Sequence, residues 1–127
     1  MIKVTCGIIQ SNNKVLCVQR SETMAMPYKW EWPGGKVELG ESEEECLIRE
    51  IKEELNLTVE IIDRLDENYH IYSVNLTILL IPFICQIIGG ELLLKEHRKA
   101  IWLDTKELLS LDWAEADIPI VKNYQSK

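Results

Sequence analysis

Glu50, Glu53 and Glu54 stand at i, i+3 and i+4, so on a helix their carboxylates converge on one side. Three like charges held that close repel one another unless a cation neutralises them. Hard divalent ions such as Mg2+ prefer carboxylate oxygens and keep several waters, so the chemistry this spacing can support is Mg2+ binding. Arg49, one turn before Glu53, can orient that side chain. Taken alone the trio more often forms a solvated acidic helix face, and its surroundings must decide.

The element that would carry these residues is well marked. Ser42 with Glu45 three residues later makes a capping box, and the acidic first turn suits the helix dipole. The spacing predicts a helix from about Glu43 to Leu55. Leu47, Ile48, Ile51 and Leu55 fall on one stripe for a core, and Asn56 tolerates a left-handed C-cap. Val4 to Ile9 and Val15 to Val18 read as strands joined by the polar turn Ser11-Asn12-Asn13-Lys14. Ser21 to Pro33 reads as an irregular loop whose large side chains (Met24, Met26, Tyr28, Trp30, Trp32) suit a contact surface or packing over the core. Lys36 to Leu39 reads as a short strand. Thr58 to Arg64, one long bent strand from Tyr69 to Cys85, and Lys99 to Leu103 complete the strands, with a turn at Gly89-Gly90. Thr105 to Leu109 and Ala116 to Tyr124 read as helices, with Pro119 tolerated in a first turn. Interleaved strands and helices, with no repeat or linker, predict one α/β or α+β domain.

Composition narrows the function. The chain has 127 residues, 14 basic against 21 acidic, and a net charge of -7. A protein that binds DNA or RNA as a polymer needs a basic face, so no nucleic-acid polymer is expected as a partner. A small phosphate compound remains compatible when divalent metal neutralises both sides. The longest apolar stretch, Leu76 to Cys85, is too short to span a bilayer, and MIKVTCGIIQ does not read as a signal peptide. Cys6, Cys17, Cys46 and Cys85 form no CxxC pair, so free buried thiols and a reducing cytoplasm are expected.

The wider pattern around the glutamates is specific. GKVELGESEEECLIREIKEELNL, residues 35 to 57, resembles the Nudix box, G-x5-E-x7-R-E-U-x-E-E-x-G-U with U aliphatic. Gly35, Glu41, Arg49, Glu50, Glu53 and Glu54 all match. Given this chain's own composition, a chance match is on the order of one in ten thousand. The one departure is Asn56, where the family usually has glycine; it bears on cap geometry rather than chemistry. Trp30-Glu31-Trp32-Pro33-Gly34-Gly35-Lys36 and Ala116-Asp117-Ile118-Pro119 are similar to the flanks of the MutT-like branch.

That resemblance implies an α/β/α sandwich around a mixed β-sheet in a single domain. It also implies Mg2+-dependent hydrolysis (Mn2+ as a substitute) of a nucleoside triphosphate to a monophosphate and pyrophosphate. The substrate could be oxidised or modified, such as 8-oxo-dGTP or a cytosine nucleotide. Glu53 and Glu54 would be metal ligands with the Gly34 carbonyl, and Glu50 either a ligand or the base. Arg49 would hold the glutamates, and Glu41 would brace loop and helix beside Gly35. Glu96 falls where relatives place a further glutamate that acts as base or ligand; a plain loop glutamate is the competing reading. Lys36 and Arg20 are candidate phosphate contacts, and otherwise ordinary surface charges. Asp117 is a candidate for the base edge or, equally, a helix cap. Trp32 is a candidate stacking surface, with Trp30, Tyr72 and Trp113 behind it. His70 and His97 receive no role. Ser73 and Asn75 stand where the ADP-ribose and diadenosine polyphosphate branches have proline and tyrosine, which leans toward a triphosphate. The alternatives are a Nudix hydrolase of ADP-ribose, nucleotide sugars or dinucleoside polyphosphates, and a non-catalytic ligand sensor, which would have no need to keep all three glutamates. A monomer or homodimer is expected.

Overall fold

The computed structural model describes residues 1–127. Its centre is the parallel pairing of β1 (Ile2–Ser11) with β7 (Leu76–Gly90), from Ile2 opposite Ile78 to Gln10 opposite Gln86. β1 turns back into β2 (Lys14–Gln19) through Asn12 and Asn13, at φ 52° and 65°. Positive φ at both central residues is the twist a two-residue hairpin needs, and Asn tolerates it. β2 pairs along its whole other edge with β8 (Lys99–Asp104), and its far end pairs with the two-residue β3 (Trp30–Glu31) on the edge it shares with β1. β7 pairs antiparallel with β5 (Leu57–Arg64) along its second half and with β6 (Asn68–Ser73) along its first. The result is an eight-stranded mixed sheet in order β3-β2-β1-β7-β5.

The pleat divides this sheet into two apolar faces, because successive side chains point to opposite sides. Ile9, Leu16, Val18, Leu79, Ile81 and Phe83 meet Leu47, Ile51 and Leu55 of α1 (Glu43–Leu55) on one face. Ile8, Val15, Cys17, Leu80 and Ile84 meet Ile120, Val121 and Tyr124 of α2 (Ile118–Gln125) on the other, with Trp30, Trp32 and Trp113. A helix on each face of one mixed sheet is the α/β/α sandwich expected from the sequence.

Several boundaries differ from expectation. The stretch Tyr69 to Cys85 is not one strand: β6 and β7 form a hairpin turning at Val74 and Asn75. Apolar residues run through the turn, so hydrophobicity alone hides it. Pro82 sits in β7 where the partner changes from β6 to β5, its carbonyl accepting the Leu65 amide at 3.0 Å, so its missing N–H breaks no ladder. The short strand expected at Lys36 to Leu39 is β4 (Gly34–Lys36), set against β1 from Cys6 to Val4. Gly89 and Gly90 are not a turn but the end of β7, where a side chain at Gly90 would lie 2.3 Å from the Asn56 carbonyl oxygen. Thr105–Ser110 is a 3-10 turn, and α2 starts at Ile118 after a second one at Glu115–Asp117.

Candidate active site

The capping box at Ser42 and Glu45 is formed, and Asn56 closes α1 with φ 58° in the left-handed region. These two ends fix the phase of the helix. Arg49 then reaches four carboxylates from one position. Its Nη2 and Nε donate to Glu41 at 2.8 and 3.0 Å, and its Nη1 donates to Glu50 at 2.9 Å and Glu53 at 3.1 Å. A fourth ion pair, at 3.4 Å, reaches Glu38. Glu41 also accepts the Glu38 amide at 2.8 Å, so it joins the loop before α1 to the helix itself. The guanidinium beside it holds Glu41 down to about 2.

The loop of β4 is pressed onto α1 at the carboxylates. A side chain at Gly35 would meet the Glu50 carboxyl carbon at 2.4 Å, so glycine is required for this approach. The buried Cys46 thiol donates to the Lys36 carbonyl at 3.3 Å from below. Burial raises Glu50, with Arg49 opposing. Glu54 is more extreme: burial first, then the charges of Glu50, Glu31 and Glu96, push it to about 8, with the Gly34 amide pulling the other way. Its Oε1 is buried without a hydrogen-bond partner.

A buried, unpartnered carboxylate oxygen among three further glutamates, beside a backbone strand, fits a divalent cation. Glu50 and Glu53 are drawn onto Arg49, and no three carboxylates stand together in ligating geometry. Cation binding therefore competes with Arg49 for those two side chains, while Glu54 is already free of it.

Glu54 opens into a pocket of 620 Å3 whose walls come from distant parts of the chain: β1, the Met24–Met26 loop, β4, the β6–β7 hairpin and Ala114 to Asp117. Trp32 and Tyr72 line it, Trp32 being also buried in the core with Trp30 and Trp113, which do not line the pocket. Lys36 stands exposed on the rim, paired with no carboxylate. Asp117 occupies the N-cap position of α2 but makes no capping hydrogen bond; it is buried and lines the pocket. The cap reading is thereby removed. Burial, then the Glu31 charge, raises Asp117 well above the usual carboxylate range, against the Trp32 amide and Arg20. A smaller cavity of 490 Å3 beside the β1–β2 turn has Lys14 as its one charged side chain and no carboxylate.

Sequence reasoning missed Glu31. One of its oxygens accepts Arg20 Nη1 at 2.6 Å and the other faces His97 Nε2 at 2.8 Å, and the residue lines the pocket with Glu54 and Asp117. Arg20, a candidate phosphate contact, lines the pocket and spans Glu31 and the Ala25 carbonyl, and so braces the pocket wall. Glu96 is exposed on the segment before β8, near enough to Glu54 to raise it. Its neighbour His97, given no role from sequence, is buried against Glu31. The buried polar side-chain atoms lacking a partner are Trp32 Nε1 and Glu54 Oε1, on residues that line this pocket, and His97 Nδ1, behind Glu31. All four cysteines are free and buried, as expected. No helix is long and apolar enough to cross a membrane.

This geometry matches known proteins. The NUDIX domain model matches residues 1–124, and the chain belongs to the Nudix family. It is 36% identical over 117 residues to a protein named putative 8-oxo-dGTP diphosphatase 2 from Mycobacterium tuberculosis, covering 90% of this chain and 81% of that one. It is 31% identical over 126 residues to the CTP pyrophosphohydrolase of Escherichia coli, covering 99% and 93%. Among solved structures, the MutT protein of methicillin-resistant Staphylococcus aureus 252, described as a Nudix hydrolase, superposes with a TM-score of 0.78 at 42% identity, covering 98% and 95%.

Proposed function

We propose that this chain, a Nudix hydrolase acting on nucleotides, cleaves a nucleoside triphosphate to the monophosphate and pyrophosphate with Mg2+, or Mn2+ in its place. The observation that carries this reading is Glu54, buried, unpartnered and raised to about 8 at the junction of the acidic helix and the pocket. The similarity to a named 8-oxo-dGTP diphosphatase and a named CTP pyrophosphohydrolase supports the triphosphate.

Glu53, Glu54 and the Gly34 carbonyl would hold the metal, with Glu50 as a further ligand or as the base. Bound there, the metal supplies charge neutralisation along the phosphate chain and acidifies a coordinated water. The protein's own groups do the rest. Lys36 at the rim offers its ammonium to the phosphates. Arg49 keeps Glu50 and Glu53 pre-oriented until a cation displaces it, which limits the repulsion among them. Glu50, raised by burial, is the group of α1 suited to accept a proton from water. Glu96 approaches Glu54 from the segment before β8.

Trp32 and Tyr72 give the pocket flat apolar walls for a base. Asp117 in its lining reads the base edge: burial favours the carboxylic acid, which donates one hydrogen bond and accepts another. An amide-like edge, such as cytosine N4 and N3 or the N7–H and O6 of 8-oxoguanine, complements that pair. The test is a panel of ordinary dNTPs and NTPs, 8-oxo-dGTP, 5-methyl-dCTP, ADP-ribose and diadenosine polyphosphates, read by pyrophosphate and AMP release. Pyrophosphate from a cytosine or 8-oxoguanine triphosphate is expected. AMP from ADP-ribose or a dinucleotide, with every triphosphate inert, would contradict it.

A further inference from the structure

The segment carrying Glu96 is moored at both ends but not at Glu96 itself. On one side the Leu93 amide donates to the Leu55 carbonyl at 3.0 Å and the Lys95 amide to the Glu54 carbonyl at 3.2 Å, tying the segment to the last turn of α1. Asn56 Nδ2 adds a bond to the Glu91 carbonyl at 3.0 Å. On the other side the Arg98 amide donates to the Gln19 carbonyl at 2.9 Å, at the start of the β2–β8 pairing. Glu96 is exposed between these moorings, and the side chain next to it is turned the opposite way.

That side chain is His97, 1% exposed, with Nε2 at 2.8 Å from Glu31 Oε2. Its Nδ1 has no partner, so the tautomer that carries the proton on Nε2 donates to Glu31 and leaves a bare acceptor inside. The other Glu31 oxygen is taken by Arg20 at 2.6 Å. Glu31 is thus held from two directions, and it is the pocket residue whose charge reaches both Glu54 and Asp117. Consecutive residues therefore face two parts of one site: Glu96 toward the acidic helix and His97 toward the pocket wall.

We propose that His97 is a positioning residue that pins the Glu96 segment to Glu31, setting where the Glu96 carboxylate stands relative to Glu54. The inference rests on the proposed function for the role of Glu96, but the pin itself is a property of the protein without ligand. Histidine suits the task because a rigid ring reaches from a buried backbone to a carboxylate with few rotatable bonds to order. An orienting partner one shell out from the reacting groups characteristically changes turnover by about 10- to 100-fold when removed.

The test compares His97→Leu, which fills the space without a donor, with His97→Gln, whose amide nitrogen can take the place of Nε2. Amide hydrogen exchange in the absence of nucleotide is the first readout. In His97→Leu the Lys95 and Arg98 amides should exchange at least about tenfold faster, with β1 amides unchanged. His97→Gln should restore most of the protection. In kinetics, kcat should fall about tenfold in His97→Leu with KM nearly constant, and Gln should recover it. If His97→Leu does not fold, Glu31→Gln, which weakens the same contact from the far side, should loosen the same two amides. Unchanged exchange at Lys95 and Arg98 in the folded variants overturns the pin. Wild-type protein that protects these amides yet hydrolyses no nucleotide would contradict the proposed function and leave the pin standing.

Discussion

Arg49 grips Glu41 through two parallel hydrogen bonds of 2.8 and 3.0 Å while its remaining nitrogen holds Glu50 and Glu53. Eight residues apart, the pair joins the loop before α1 to the middle of the helix, and the bidentate geometry explains why arginine is needed there. Lysine presents a point charge that cannot hold Glu41 with one edge and the two other glutamates with another. Arg49→Lys should therefore keep the fold yet lower turnover by about tenfold. Unaltered kinetics would show that the glutamates need no such brace.

Glu54 should leave a signature in the pH dependence of stability. Its folded value of about 8 lies above the ordinary 4.5, so the folded protein binds the proton more tightly than the unfolded chain. Both states are protonated below about 4.5, where the group has no effect. Between those values stability falls as pH rises, and above about 8 the loss is constant. In EDTA, Glu54→Gln should accordingly be more stable than wild type at pH 8, by about 3 kcal/mol, with the difference vanishing near pH 4. A gap that does not change with pH in urea unfolding would contradict this. The same protonation predicts that metal affinity without nucleotide climbs as pH approaches 8.

Asp117 makes no capping bond to α2, so its removal should not weaken the helix. Asp117→Asn keeps the size of the group and one donor and acceptor pair. Thermal unfolding should be unchanged or shifted upward, because a buried carboxyl has gone, while KM for the preferred triphosphate rises and the ranking among bases alters. A fall in stability with base preference intact would return Asp117 to a purely structural role.

The amino-acid sequence made the chemistry of α1 legible and left its surroundings obscure, for physical reasons. The capping box, the apolar stripe and the Arg49, Glu50, Glu53 and Glu54 spacing are all local, set within one helix. So is the Asn12-Asn13 turn. The pocket is not local: Glu31, Glu54, Tyr72 and Asp117 come from four separate elements. Glu31 looked like a loop residue because β3 is only two residues long and has no periodicity to display. The pairing of Arg20 was hidden for the same reason, since its partner lies eleven residues away across a loop. His97 gave no signal at all, as nothing in a lone histidine tells that it will be buried against a glutamate 66 residues earlier.

The four thiols offer an independent check on the packing. Burial raises Cys17 and Cys85 to about 12 and Cys46 to about 11, and lifts Cys6 well above the usual thiol value. At pH 8 the native protein should react with a soluble disulfide reagent at none of them on the timescale of minutes, and at all four once unfolded. Rapid labelling of a native cysteine would show that one face of the sheet is open.

The central claim is that the carboxylates of α1 hold a divalent cation which makes a triphosphate hydrolysable. The most direct measurement is pyrophosphate release from the best triphosphate of the panel by wild type and Glu53→Gln, each with Mg2+ and with EDTA. The account predicts release by wild type only with Mg2+, and a loss of about a hundredfold or more in Glu53→Gln with its fold intact. Equal Mg2+-dependent turnover by the two proteins would contradict it, because the acidic face of α1 would then not be where the reaction happens.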